Sequence, residues 1–212
     1  VDQLQHYIKA NSGSYLFGSL SYDLKNEFEK LSSTHADELM YPLAHFWVPK
    51  FVIKLEKEKF EYLQGDQDEE SFQFLDYFME EEIDHNFHSF PYRFEARTSK
   101  ERYIEQVEKL KSYIQRGDIY EVNYCQEFYA ENVELDFPLD TYFKLNHITK
   151  APFSTFLQTD NHAIFCGSPE RYMKKTGDRL LSQPIKGTAP RGIDDQADEA
   201  LKQHLQNDPK ER

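Results

Sequence analysis

Leu180-Leu181-Ser182-Gln183-Pro184-Ile185-Lys186-Gly187-Thr188-Ala189-Pro190-Arg191-Gly192 is the stretch on which the reading of this chain turns. A short apolar run enters a segment punctuated by two prolines and two glycines, with one lysine at its centre. Pro184 and Pro190 fix backbone angles, and Gly187 permits close approach of a ligand or another segment. A lysine on such a rigid turn can be aimed, and aim matters if its amine is to attack an electrophile. A solvated surface lysine beside a turn glycine is the plainer explanation. What precedes the stretch decides between them.

Upstream, Arg171-Tyr172-Met173 and Arg179-Leu180-Leu181 are expected to pair across Thr176-Gly177-Asp178. Phe153 to Thr159 and His162 to Gly167 are expected to pair around Asp160-Asn161. Turns this short join only antiparallel strands. Between the hairpins lies Ser168-Pro169-Glu170-Arg171. Out-and-back travel along the second hairpin can return Lys186 to the neighbourhood of Glu170. A carboxyl beside an amine at a strand end offers a general acid beside a nucleophile. To attack, the lysine must lose its proton, although its ordinary pKa is about 10.4. Burial would have to favour the neutral form. An ion pair of Glu170 with Arg171 or Lys186 is the competing explanation.

Further out, Val1 to Asn11 reads as a short amphipathic helix, and Tyr15 to Tyr22 as a strand. Asp23 to Leu31 reads as a short helix. Phe46 to Pro49 and Phe51 to Leu55 read as strands, the latter returning through Phe60 to Leu63 across the charged turn Glu56 to Lys59. The acidic runs Asp66 to Glu70 and Glu80 to Asp84 read as solvated helix faces, since nothing apolar surrounds them to shift a pKa. Phe87 to Phe94 reads as a connector, giving two regions, 1–92 and 93–212. Thr98-Ser99-Lys100-Glu101 matches a capping box, and the helix after it carries Tyr103, Val107, Leu110 and Ile114 on one face until Gly117 stops it. Ile119 to Phe128 alternates as a half-buried strand should, with Asn123 on the opposite face as a core hydrogen bonder or a pocket residue. Pro138 opens a short helix, and Asp194 to Asn207 is a polar one.

Composition excludes several classes. The chain has 212 residues, 39% of them hydrophobic and 15% aromatic, so a core needs no covalent staples. A net charge of -13, from 25 basic and 38 acidic residues, argues against nucleic acid as a partner. No apolar run is long enough to span a bilayer, and the first residues lack a signal-peptide layout. The two cysteines, Cys125 and Cys166, have no CxxC spacing, which fits a reduced cytoplasmic protein with buried thiols. The eight histidines never take a zinc spacing such as HExxH.

Five segments together resemble the chorismate-utilising enzymes, in that family's order and spacing. They are Gly117-Asp118-Ile119-Tyr120-Glu121-Val122-Asn123, Ala151-Pro152-Phe153-Ser154, Gly167-Ser168-Pro169-Glu170-Arg171, Pro184-Ile185-Lys186-Gly187-Thr188 and Pro190-Arg191-Gly192. Phe17 to Leu24 also resembles the family's N-terminal region. The resemblance implies an α+β fold of antiparallel sheets packed with outer helices, incomplete over this length.

It also implies a chemistry. Family members that make anthranilate carry alanine before the Gly-Thr pair, whereas those that make 4-amino-4-deoxychorismate, for 4-aminobenzoate and folate, commonly carry lysine. Lys186 places this chain with the second group. Lys186 would add to the chorismate ring, Glu170 would protonate the departing hydroxyl, and ammonia would enter where the hydroxyl left and expel the lysine. Gly187 and Thr188 would set backbone donors against a substrate carboxylate. Magnesium and a glutamine amidotransferase partner come with the resemblance. Pro152, Phe153 and Ser154 match a segment of a tryptophan pocket in some relatives; aromatic packing explains them equally well. Glu211 matches the first of the metal-binding glutamates. Complete members are about twice this length, so the expectation is a piece that holds nucleophile and acid but is inactive alone. An anthranilate or isochorismate-type synthase, against which Lys186 argues, and a non-catalytic piece that binds tryptophan or the amidotransferase, are the alternatives.

Overall fold

The computed structural model describes residues 2–56, 59–80, 92–185 and 187–209. They fall into two compact units, Val1–Asp84 and His85–Arg212.

In the first unit, helix α1 (Asp2–Ala10) precedes strand β1 (Phe17–Leu20) and a 3-10 turn at Tyr22–Glu27. Strands β2 (Ala44–Trp47), β3 (Val52–Glu56) and β4 (Lys59–Gln64) follow, then helix α2 (Glu69–Glu80). β1 pairs antiparallel with β2, from Phe17↔Trp47 to Leu20↔Ala44. β3 pairs antiparallel with β4 and closes on Glu56↔Lys59, as the hydrophobic runs flanking the charged turn predict. The acidic residues Glu69 and Glu70 occupy the first turn of α2, where negative charge complements the helix dipole. Asp68 caps that helix: its carboxylate accepts from the Ser71 N–H at 2.9 Å, while its own N–H donates to Ser71 Oγ at 3.1 Å. Ser71 is fully buried, also accepts from the Tyr62 hydroxyl of β4, and lies one turn before Leu75, which is 6% exposed. Phe51 and Phe74 meet edge to face at 5.3 Å beside them.

In the second unit, β5 (Glu95–Ala96) pairs with β6 (Phe128–Tyr129), and helix α3 (Lys100–Arg116) lies between them in sequence. Helix α4 (Pro138–Thr149), with proline in its first turn, packs on the hairpin of β7 (Phe153–Gln158) and β8 (Ala163–Ser168). The rings of Tyr142, Phe156 and Phe165 carry that packing, with centroids 5.5 Å and 5.7 Å apart. Strands β9 (Arg171–Thr176) and β10 (Arg179–Gln183) form the last hairpin, and helix α5 (Asp195–Asn207) follows it. Among the described residues every ladder is an antiparallel pair; short turns require this of β3–β4, β7–β8 and β9–β10, while β1–β2 and β5–β6 pair across longer connections.

Four sequence expectations need correction. The cap of α3 is Ser99, not Thr98: the Ser99 hydroxyl accepts from the Arg102 N–H at 3.2 Å. Gly117 does end the helix, at φ 79°, a left-handed angle that glycine takes without steric cost. Ile119 to Glu127 is not a strand; only Phe128 and Tyr129 pair, because β5 offers them just two residues. Tyr120 is consequently 91% exposed, and Cys125 is an exposed thiol rather than a buried one. The helix expected over Asp23 to Leu31 is a 3-10 turn ending at Glu27. The Glu81 to Asp84 part of the second acidic run, residues Phe87 to Pro91 of the connector, and Lys57 and Glu58 lie outside the described residues.

Ser99→Ala is expected to cost about 1 kcal/mol in a denaturation experiment, the usual contribution of a hydroxyl N-cap, while Thr98→Ala is near neutral. The opposite ranking would return the cap to Thr98.

Candidate active site

The site is built on the last hairpin, and its geometry begins with an irregularity. Arg179↔Thr176, Leu180↔Lys175 and Leu181↔Lys174 pair in regular register, but the next pair is Gln183↔Arg171. β9 therefore sets two residues, Tyr172 and Met173, against the single Ser182 of β10. The Ser182 hydroxyl donates to the Tyr172 carbonyl at 2.9 Å, which satisfies an acceptor that the bulge takes out of the ladder. Regular register would have set Arg171 against Pro184, which has no N–H to offer. The bulge ends the ladder on Gln183 and leaves Pro184 free to start the loop.

That register fixes where Glu170 stands. It precedes Arg171, so it lies level with Pro184, two residues before Lys186. Its backbone is held by one hydroxyl: the Glu170 N–H donates to Ser168 Oγ at 3.2 Å, and that hydroxyl donates back to the Glu170 carbonyl at 3.0 Å. Glu170 is exposed. Arg171 turns the other way, its guanidinium 4.6 Å from the Phe153 ring, with Nε buried and without a hydrogen-bond partner among the described residues.

The remaining expected residues are distributed as follows. Gly187 is half-buried and Thr188 exposed, both on the loop after the hairpin. Pro152 immediately precedes β7; Phe153 pairs with Ser168 and Ser154 with Gly167 on β8. Phe153 is thus tied to the Ser168–Arg171 corner through the Arg171 stack. Lys186 and Glu211 lie outside the described residues. Among the described residues no three His, Cys, Asp or Glu side chains group as a metal site. A separate cleft of 330 Å³, lined by Tyr92, Arg93, Glu95, Tyr129 and neighbours, shares no residue with the hairpin.

One residue of the site could not be singled out from sequence. Asp198, in the first turn of α5, accepts from Arg191 Nε at 2.7 Å and Nη2 at 2.6 Å, and from the Gly192 N–H at 2.8 Å. In sequence it is one acid among several on a polar helix; its only signal is the arginine seven positions before it. The Arg191 guanidinium, and after it the Gly192 amide, hold the Asp198 carboxyl below the ordinary aspartate range; the carboxylate in turn raises Arg191. Asp194 caps the same helix, accepting from the Ala197 N–H at 2.7 Å.

The fold is an α+β arrangement of helices and antiparallel ladders. A family model described as chorismate binding enzyme matches residues 1–212, and the chain belongs to that family. Aminodeoxychorismate synthase component 1 of Klebsiella aerogenes is 36% identical over 117 residues, covering 55% of this chain and 26% of the relative. Anthranilate synthase component 1 of Thermus thermophilus is 28% identical over 203 residues, covering 92% of this chain and 44% of the relative. The crystal structure of anthranilate synthase component I from Streptococcus pneumoniae superposes with a TM-score of 0.72 over 94% of this chain and 46% of that one, at 21% identity, a likeness of fold. The chain spans less than half the length of these relatives. Among the described residues no helix is long and apolar enough to cross a membrane.

Because its folded pKa is lowered, ionised Asp198 adds stability above the ordinary carboxylate value, and that contribution is lost as pH falls through its depressed pKa. A carbon-13 titration of its carboxyl should show a midpoint below about 3.9, the ordinary value. A midpoint at or above that value would show that Arg191 does not hold it in solution.

Proposed function

We propose that this chain carries the nucleophile and general acid of an enzyme that aminates chorismate to 4-amino-4-deoxychorismate, of the aminodeoxychorismate synthase component I type. The observation that carries the reading is the register of β9 with β10, which leaves Glu170 and the lysine-bearing loop at the same end of one hairpin. Lysine at 186, where anthranilate-forming relatives resemble one another in carrying alanine, supports amination at the hydroxyl-bearing carbon.

In this proposal the neutral Lys186 amine adds to the ring beside the carboxylate-bearing carbon. The ring double bonds shift, and the hydroxyl leaves as water with a proton from Glu170. Ammonia then adds where the hydroxyl stood, the double bonds shift back, and the lysine amine is expelled. One ammonia is consumed and one water released, with no change of oxidation state. The lysine blocks the position at which ammonia would otherwise give the anthranilate-type product. A proton donor in this position contributes about 10²- to 10⁴-fold. Gly187 and Thr188 present backbone N–H groups to a substrate carboxylate. Ammonia from a glutamine amidotransferase and a magnesium ion on the ring carboxylate belong to the proposal through the family resemblance alone.

A second reading, anthranilate formation, is favoured by the relatives that match over most of this chain, including the Thermus thermophilus anthranilate synthase component 1. Product identity separates the two. A family-length protein containing these residues, given chorismate, magnesium and ammonia, is expected to yield 4-amino-4-deoxychorismate on chromatography. Anthranilate from the unaltered protein would overturn the first reading. Glu170→Gln is expected to lower turnover about 10²- to 10⁴-fold. Lys186→Ala is expected to abolish amination or divert it toward anthranilate; unchanged product and rate would remove Lys186 from the mechanism.

A further inference from the structure

The last hairpin is cationic in an acidic chain. From Arg171 to Gln183 four cations, Arg171, Lys174, Lys175 and Arg179, stand against one acid, Asp178. The whole chain has 38 acidic residues to 25 basic ones and a net charge of -13. We propose that this cationic hairpin is an electrostatic funnel that draws a small dicarboxylate to its open end, where Glu170 stands. The inference rests on the reading given above of chorismate, which carries two carboxylates, as the substrate.

Three observations carry it. First, the cations are unmatched. Among the described residues none of the four has a carboxylate within ion-pair distance, whereas the nearby Arg191 and Lys202 are taken by Asp198 and Glu199. Second, Lys174, Lys175 and Arg179 are exposed, so their charge acts through water. Lys174 pairs across the ladder with Leu181 and Lys175 with Leu180. The two lysines are neighbours on one strand, so they stand on opposite faces and the field surrounds the hairpin. Third, the spacing suits attraction at a distance. At about 3.3 Å per strand residue, Lys174, Lys175 and Arg179 lie roughly 13 to 20 Å from Glu170 along the ladder. That is too far to touch a substrate there, yet within the reach of a charge on a dianion at low salt. Arg171, next to Glu170 in the chain, is the innermost cation. A large polyanion would meet the negative charge of the rest of the chain, whereas a small dianion meets the local field.

The test uses the family-length protein, unaltered and with Lys174→Gln, Lys175→Gln and Arg179→Gln combined. Arg171 is left alone, because it also pairs in the ladder. The first readout is kcat/KM for chorismate consumption at fixed magnesium and ammonia as sodium chloride is raised. The triple variant is expected to melt at the same temperature and to keep kcat. Near 0.01 M ionic strength it should lose about fivefold in kcat/KM, the Coulomb attraction of three cations for a dianion at these distances. Near 1 M, where the Debye length is about 3 Å, the gap should close. The second readout needs no turnover. Tyr172 is 87% exposed on the same strand, and Tyr172→Cys offers a thiol there. Its reaction rate with dithiobis(nitrobenzoate), a dianionic disulfide, is divided by that with neutral dithiodipyridine, with the Tyr172 protein as background. That ratio should fall several-fold when the three cations are removed. An unchanged ratio would overturn the funnel. So would a kcat/KM whose salt dependence is the same in both proteins, or a loss confined to kcat. If the unaltered protein makes anthranilate, the function proposal fails by itself and chorismate consumption still decides the funnel. If it consumes no chorismate, the thiol ratio alone decides whether the hairpin draws a dicarboxylate.

Discussion

The pairing of Arg171 with Gln183 is the constraint on which the candidate site depends. It is one antiparallel pair at the open end of a hairpin, reached across a bulge that sets Tyr172 and Met173 against Ser182. Were the register regular, the ladder would run into Pro184 and end with an unpaired carbonyl. Instead the last paired residue is one that can pair. Glu170 then stands just outside the ladder on one side and the Pro184–Pro190 loop on the other. The strand-end acid and the lysine-bearing loop share the open end of the hairpin, and the single extra residue sets Glu170 level with Pro184.

The order in this chain comes from local pairings rather than from a deep core. Among the described residues only Ser71 and Leu75 are buried, both on α2 in the first unit, where the Tyr62 hydroxyl of β4 reaches Ser71. In the second unit the aromatic contact of α4 with β7 and β8 is the main apolar packing. The hairpin faces carry large apolar side chains in the open, Tyr172 at 87% and Leu180 at 66% exposed. Two-stranded ladders are marginal alone, because hydrogen-bond exchange with water leaves little net gain and apolar burial must supply the rest. Capping carboxylates and hydroxyls at Asp68, Ser99 and Asp194 therefore do much of the local specification.

Much of this was legible in the residues because it is local. The β7–β8 hairpin around Asp160-Asn161, the last hairpin around Gly177-Asp178, the stop at Gly117 and the polar helix ending at Asn207 each rest on contacts a few positions apart. Two corrections are local, the α3 cap at Ser99 and the 3-10 turn at Tyr22–Glu27; the others are non-local. Ile119 to Glu127 has the alternation of a strand, but alternation says only that a segment fits a ladder, and β5 pairs with just two residues beyond it. Asp198 carries no signal beyond the arginine seven positions before it, since its partners are set by which groups the loop brings to it.

By itself the sequence determined the antiparallel hairpins, the longer helices with the stop at Gly117, and the order of motifs that marks the family, because turn angles and periodicity act within a few residues. Only the tertiary structure decided the bulge, the level at which Glu170 meets the loop, and the contact of Arg191 and Gly192 with Asp198. Those depend on where two separately formed elements stop relative to each other, and a missing proline N–H or an absent Cβ takes effect only when the partner's position is set.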